Sequence, residues 1–204
     1  DIYGGGKSEE VFGQAISPQM REKIFIQTKC GIRPGRFDFS KEHIVSSVEK
    51  SLSKLGIEQL DVLLLHRPDL LMEPEEVAEA FDILYTSGKV RHFGVSNQNM
   101  MQMELLKTCV KQPLIINQLQ FSVTEAGMVT SGMNVNMKNA ESVMHDGGFL
   151  EYSRIKNITI QTWSPFQFGF FSGNFVDNDD YPELNAKLSE IAEKYGYDIM
   201  IWSD

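Results

Sequence analysis

The sequence predicts an α/β fold in which repeated strand–helix units close into a parallel (β/α)8 barrel of the TIM type. Three observations predict it. Apolar, β-branched runs alternate with amphipathic stretches of helical spacing. The runs are apolar throughout, as strands covered on both faces by helices must be. Polar residues gather late in several different runs, and a barrel carries its functional groups at several strand ends. An open doubly wound sheet would also alternate in this way, but it predicts a glycine-rich phosphate loop after an early strand. "YGGGKS" (Tyr3 to Ser8) follows no visible strand and has neither the dinucleotide nor the phosphate-loop spacing, so the barrel is preferred. With 204 residues, 42% of them hydrophobic, the chain suits one domain over residues 1–204 with a sizeable core.

The elements follow in order. "SEEVFGQAI" (Ser8 to Ile16) reads as a short helix with an acidic first turn, which suits the helix dipole. "KIFIQTKCGI" (Lys23 to Ile32) is a buried strand. In "FSKEHIVSSVEKSLSKLG", Ser40 is a good N-cap and Gly56 a good C-cap. Val45, Val48, Leu52 and Leu55 recur between them at helical spacing. "LDVLLLHRP" is the next strand. Pro74 suits a first helical position, and Val77, Ala80, Phe81 and Leu84 form the apolar face of a helix ended by Gly88. "VRHFGVSN" (Val90 to Asn97) is a strand, followed by a helix started by Asn97 or Asn99. Strands follow at Leu114 to Ser122 and at Asn157 to Phe166, and a helix spans Tyr181 to Gly196. Thr124 to Gly148 breaks the alternation: it is polar, Met-rich and without a clear period. A loop over residues 124–148 would overhang the strand-end face, either as a plain surface excursion or as a substrate-facing lid.

Composition excludes several function classes. The net charge is −9 and no basic run occurs, so neither nucleic acid nor an anionic membrane is an expected partner. No stretch is apolar for 18 residues, and no signal peptide opens the chain. Cys30 and Cys109 are too few for a disulfide framework or a metal spacing, and they read as free thiols in a reducing cytosol. No metal site is expected.

The strand-end residues are Lys29 and Cys30, His66 and Arg67, Ser96 and Asn97, Asn117 to Gln120, and Trp163 with Ser164. A lone histidine such as His66 is most often a core residue with one satisfied hydrogen bond. A lysine late in a buried strand is harder to read that way, because a buried ammonium needs a partner. His43, His92 and His145 read as solvated or structural. Met100, Met101 and Met103 read as helix-face packing.

Taken together and in order, "DIYGGG", "IQTKCG", "LLLHRPD", "FGVSN", "INQLQFS" and "TWSPF" resemble the aldo-keto reductase family. The resemblance runs from Asp1 to about Gly196 and is closest to bacterial oxidoreductases carrying "NVNM" in a late loop. It implies a (β/α)8 barrel that binds a nicotinamide cofactor across its strand ends. It implies reduction of an aldehyde or ketone, a small-molecule carbonyl, with NADP(H) as cofactor and NAD(H) not excluded. Tyr3, Lys29 and His66 match three members of the family's catalytic group. Tyr3 would be the general acid. A free phenol titrates near ~10, and a close ammonium, here Lys29, favours its ionised form. His66 would orient the carbonyl oxygen.

By the same resemblance, Ser96, Asn97 and Gln118 would hydrogen-bond the nicotinamide carboxamide, since amides and hydroxyls supply both donors and acceptors. Ser96-Asn97 is also good helix-cap chemistry, and both roles can hold at once. Trp163 matches a ring that stacks on nicotinamide, and it suits a core aromatic nearly as well. Ser164, Pro165, Phe166, Gly169, Phe171 and Gly173 match the loop that passes the pyrophosphate, where backbone amides could cradle phosphate. Gly and Phe are equally at home in any loop. The resemblance also leads one to expect that the barrel is incomplete in this chain. The family's first strand, most of its second and its catalytic Asp would precede Asp1, and its last strand–helix unit, with the 2′-phosphate site, would follow Asp204. A cofactor-binding regulatory or interaction protein on the same fold is the alternative, as is an inactive fragment.

Overall fold

A computed structural model describes residues 2–133, 138, 148–167 and 173–198. The chain divides into two compact units, Asp1–Asn117 with Lys156–Thr159, and Gln118–Ile155 with Ile160–Asp204.

The first unit opens with a 3-10 turn, Tyr3–Gly6, and helices α1 (Ser8–Ala15) and α2 (Pro18–Arg21). Strand β1 (Gln27–Cys30) leads into a small hairpin of β2 (Ile32–Arg33) and β3 (Arg36–Phe37). Then come α3 (Lys41–Leu55), β4 (Leu60–Leu65), α4 (Pro74–Thr86), β5 (Val90–Ser96), α5 (Met100–Lys107) and β6 (Leu114–Gln120), the last crossing into the second unit after Asn117. Strand β4 pairs in parallel with both β1 and β5, with Cys30 opposite Leu65 and Leu65 opposite Val95. β5 and β6 are the next hydrogen-bonded neighbours. Each step across this sheet is bridged by a helix, which is the strand–helix repeat that the sequence predicts.

Every residue of β4 is buried, as its unbroken apolar run requires. Ile44, Val48, Leu52 and Leu55 of α3 and Val77, Ala80, Phe81 and Leu84 of α4 are buried, and the rings of Phe81 and Phe93 stack at 4.1 Å. Burying each large apolar side chain contributes about 1.5–3 kcal/mol. Ile44 rather than Val45 takes the buried place one turn before Val48. Gly94 is where β5 comes closest to its neighbours: a Cβ there would lie 2.6 Å from the Ile116 carbonyl oxygen.

The strand expected from Lys23 to Ile32 is shorter. Phe25 is exposed, and the backbone N–H of Ile26 donates to the Asp61 carboxylate at 2.8 Å instead of to a ladder. At the other end Gly31 turns the chain at φ +110, where a Cβ would lie 2.0 Å from the Phe39 ring. Ile32 therefore belongs to the hairpin. The loop expected over 124–148 contains helix α6 (Gly127–Met133), and residues 134–137 and 139–147 of it lie outside the described residues.

The second unit holds the end of β6, α6, most of α7 (Phe149–Lys156), most of β7 (Thr159–Trp163) and α8 (Pro182–Tyr195), the last closed by Gly196 in the left-handed conformation. β6 and β7 are hydrogen-bonded neighbours. No described helix is long and apolar enough to cross a membrane.

Asp61 is the polar clamp of the first unit. Its buried carboxylate accepts from the Ile26 N–H and pairs with Arg21 at 2.9 Å and Arg91 at 3.3 Å. Asp61→Ala would leave the Ile26 N–H and two guanidiniums without that acceptor. The expected cost is about 2–3 kcal/mol, read as a lower urea midpoint of the intact protein. An unchanged midpoint would refute the clamp.

Candidate functional site

Two strand-end groups and one from the opening turn, distant in sequence, meet in the first unit. Lys29 lies next to last in β1, and His66 follows β4 directly, continuing the ladder through its N–H to the Cys30 carbonyl at 2.9 Å. Tyr3 reaches them from the opening 3-10 turn. Its hydroxyl oxygen lies 2.6 Å from Lys29 Nζ, which donates to it, and 3.1 Å from His66 Nε2. The ammonium also sits 4.7 Å from the Tyr3 ring centroid, close enough for a cation–π contact. The rings of Tyr3 and His66 are 5.4 Å apart and tilted by 32°.

The three differ in exposure. Tyr3 is 51% exposed, whereas His66 is 5% exposed. Burial, helped by the charges of Lys29 and Arg67, lowers the His66 pKa from 6.5 to about 3, so its imidazole is neutral near pH 7. The sign for stability follows. Between pH 3 and 6.5 the unfolded chain binds a proton that the folded chain refuses. The contribution is therefore fully present above pH 6.5 and is lost as pH falls toward about 3. His66→Gln is expected to flatten this acid-side loss, measured as urea stability at pH 7 and pH 5. An identical difference in both proteins would contradict the assignment. The neighbouring Cys30 is fully buried, which pushes its thiol up to about 12 and makes it unreactive.

The turn that carries Tyr3 is tied down by residues with no obvious sequence signal. Glu9 of α1 accepts from Thr28 of β1 at 2.6 Å and from Ser51 of α3 at 2.7 Å. Lys54 of α3 donates to the Gly6 carbonyl at 2.7 Å. These partners lie 19, 42 and 48 residues away in sequence, so only the folded chain reveals them.

Ser96 ends β5 and is buried, and Asn97 follows it in the left-handed conformation at φ 59. Asn97 Nδ2 donates to Ser96 Oγ at 2.7 Å and makes a long contact of 3.5 Å to the His66 carbonyl. The cap of α5 is Asn99, which forms a reciprocal capping box with Gln102. Ser96 and Asn97 are thus not the helix cap, and Asn97 turns the chain at the strand end in the left-handed region, which asparagine tolerates.

In the second unit, Gln118 of β6 is buried and donates to Gln161 of β7 at 2.7 Å. Trp163 ends β7, half-buried. Ser164 follows at φ 52, and Pro165 and Phe166 continue the turn. The Phe166 carbonyl accepts from the Phe175 N–H at 2.9 Å, and the rings of the two meet edge-on at 6.5 Å. Gly173 is exposed at φ 107. Gly169 and Phe171 lie outside the described residues.

Within the first unit, the Ser96 hydroxyl and the Asn97 amide lie side by side at the end of β5 and offer both donors and acceptors. Of the other side chains, Met103 is buried, while Met101 is 74% exposed and does not pack as expected. His43 lies on α3 beside Ser47, His92 is exposed on β5, and His145 lies outside the described residues.

Comparison with known proteins agrees with the sequence resemblance. The model of the aldo/keto reductase family matches residues 1–203. The chain is 42% identical over 205 residues to the oxidoreductase YdhF of Escherichia coli (strain K12), covering 95% of this chain and 62% of that one. It is 39% identical over 192 residues to the uncharacterized oxidoreductase YcsN of Bacillus subtilis (strain 168), covering 88% and 58%. It is 34% identical over 211 residues to the 6-dehydroglucose reductase of Agrobacterium fabrum, covering 97% and 64%. The chain thus spans less than two thirds of the length of these relatives. Among solved structures, the thermostable aldo-keto reductase Tm1743, crystallised with the inhibitor epalrestat, matches with a TM-score of 0.68 at 25% identity. That match covers 97% of this chain and 61% of the other. These neighbours are (β/α)8 barrels, the fold that the alternating pattern predicts.

Proposed function

The chain belongs to the aldo/keto reductase family, and on that premise we propose that it reduces aldehydes or ketones with NADP(H), Tyr3 acting as the general acid. One observation carries the reading: the Tyr3 hydroxyl lies within hydrogen-bond reach of both Lys29 Nζ and His66 Nε2. The relative named as a 6-dehydroglucose reductase supports reduction as the direction.

A dihydronicotinamide, when bound, would supply the hydride for the carbonyl carbon. Tyr3 gives its hydroxyl proton to the carbonyl oxygen. Negative charge then builds on the phenol oxygen, 2.6 Å from the Lys29 ammonium. An attraction of a few kcal/mol is of the right order for such a pair near a protein surface. His66, neutral near pH 7, holds the carbonyl oxygen by a hydrogen bond from its edge position beside Tyr3. The half-exposed Tyr3 recovers its proton from water, directly or through His66. The family resemblance, not the geometry, assigns the carboxamide to Ser96, Asn97 and Gln118, the nicotinamide ring to Trp163, and the pyrophosphate to Ser164, Pro165, Phe166, Gly169, Phe171 and Gly173.

The test is carbonyl-dependent NADPH oxidation by the intact protein over a panel of aldehydes and ketones, with NADH run in parallel. Turnover with NADPH is the expected result. Tight cofactor binding with no turnover on any carbonyl would overturn it in favour of a cofactor-binding regulatory protein.

A further inference from the structure

The hairpin that follows β1 carries an electrostatic arrangement that its own folding does not explain. Arg33 and Arg36 are directly opposed across the two-residue turn Pro34-Gly35, so both side chains rise from the same face. Like charges placed directly opposite each other destabilise a strand pair. One carboxylate serves both. Asp38 Oδ2 accepts from Arg33 at 2.8 Å and lies 3.9 Å from Arg36. Asp38 Oδ1 is spent on the Ser40 N–H at 3.2 Å and the Ser40 hydroxyl at 2.7 Å.

Arg36 is thus left over. Among the described residues its guanidinium makes no hydrogen bond, and its side chain is 63% exposed. Lys50 and His43 lie on α3. Burial, with the charges of Arg33, Lys50 and Arg36, lowers the His43 pKa against the pull of Asp38, so Lys50 and not His43 adds positive charge there.

The hairpin also stands at the right place. It leaves the same end of β1 that carries Lys29, and the Asp38 N–H closes it onto the Gly31 carbonyl at 2.9 Å. Arg33 is the fourth residue after Lys29, so their Cα atoms are at most about 14 Å apart. Arg67 leaves the same end of the neighbouring strand β4, directly after His66. In a chain of net charge −9, this strand-end face gathers Lys29, Arg33, Arg36 and Arg67.

We propose that Arg36, with Arg33 beside it, is an anion subsite at the mouth of the catalytic site, and that the preferred substrates are carbonyl compounds bearing a carboxylate or phosphate. A guanidinium offers that anion a planar, two-donor fork. The proposal rests on the carbonyl-reductase reading above. The cofactor's phosphates share this chemistry, and the experiment separates the two sources.

The intact protein is assayed with 4-formylbenzoate and its methyl ester, which differ in charge and share the reacting aldehyde. The expected ratio of kcat/KM values favours the acid by about tenfold. Arg36→Gln should bring the ratio near one, and Arg36→Glu should reverse it. Both substitutions are at an exposed turn, and turnover of the ester reports that each variant is folded. Equal kcat/KM values in the unmodified protein, or a ratio that Arg36→Gln leaves unmoved, would overturn the subsite. A weaker NADPH Kd in Arg36→Gln with an unmoved ratio would assign the anion to the cofactor and also overturn it. Reduction of neither aldehyde would contradict the reductase reading instead. The subsite is then read without turnover, by calorimetry with 4-(hydroxymethyl)benzoate and its methyl ester. Tighter binding of the acid, lost in Arg36→Gln, supports the subsite, and equal binding overturns it.

Discussion

Tyr3→Phe is expected to lower kcat by roughly 10²–10⁴-fold while leaving the NADPH Kd within about twofold, since a positioned general acid contributes on that scale. The substitution removes one oxygen and keeps the ring. The ring's contacts with Lys29 and with His66 can persist, because both engage its face as well as its hydroxyl. What disappears is the hydroxyl that the structure places between a neutral imidazole and an ammonium. A loss confined to KM would instead indicate that the hydroxyl merely binds substrate. Unchanged turnover would remove Tyr3 from the mechanism.

Lys29→Met comes next in expected size, with kcat lowered by about 10²–10³-fold and cofactor binding retained. Methionine keeps the length and much of the apolar stem but lacks the charge that faces the Tyr3 oxygen at 2.6 Å. Lys29 acts through Tyr3, so the two substitutions should not add. The double variant is expected to be about as slow as Tyr3→Phe alone, as for residues that work as one unit. Losses that multiply would show that Lys29 has a separate task, such as contacting the cofactor.

The sequence made some of this architecture plain and hid the rest for identifiable reasons. The run of β1, β4, β5 and β6 with α3, α4 and α5 between them is legible because its signals are local: an unbroken apolar run in β4, Ser40 and Gly56 bracketing α3, Pro74 opening α4. The strand ends that carry Lys29 and His66 were legible for the same reason. Their meeting with Tyr3 was not, since it joins residues 26 and 63 positions apart, and only the family resemblance suggested it. The hairpin Ile32–Phe37 does not show in the sequence because the strand pattern from Lys23 runs on to Ile32, although Gly31 is the pivot between a strand and a turn. With the hairpin went the opposed Arg33–Arg36 pair, a feature of register that composition cannot express. The Asp61 clamp and the Glu9 anchor were hidden in the same way, each being polar groups whose partners come from other elements.

Transfer of deuterium from NADPH labelled at C4 tests the proposed chemistry most directly. The intact protein should place one deuterium on the carbinol carbon of each alcohol formed, in a single turnover with saturating cofactor. Tyr3→Phe, with the same amount of labelled cofactor bound, should form labelled alcohol at least about 10²-fold more slowly. Labelled product appearing at the same rate in both proteins would contradict the role of the Tyr3–Lys29–His66 group.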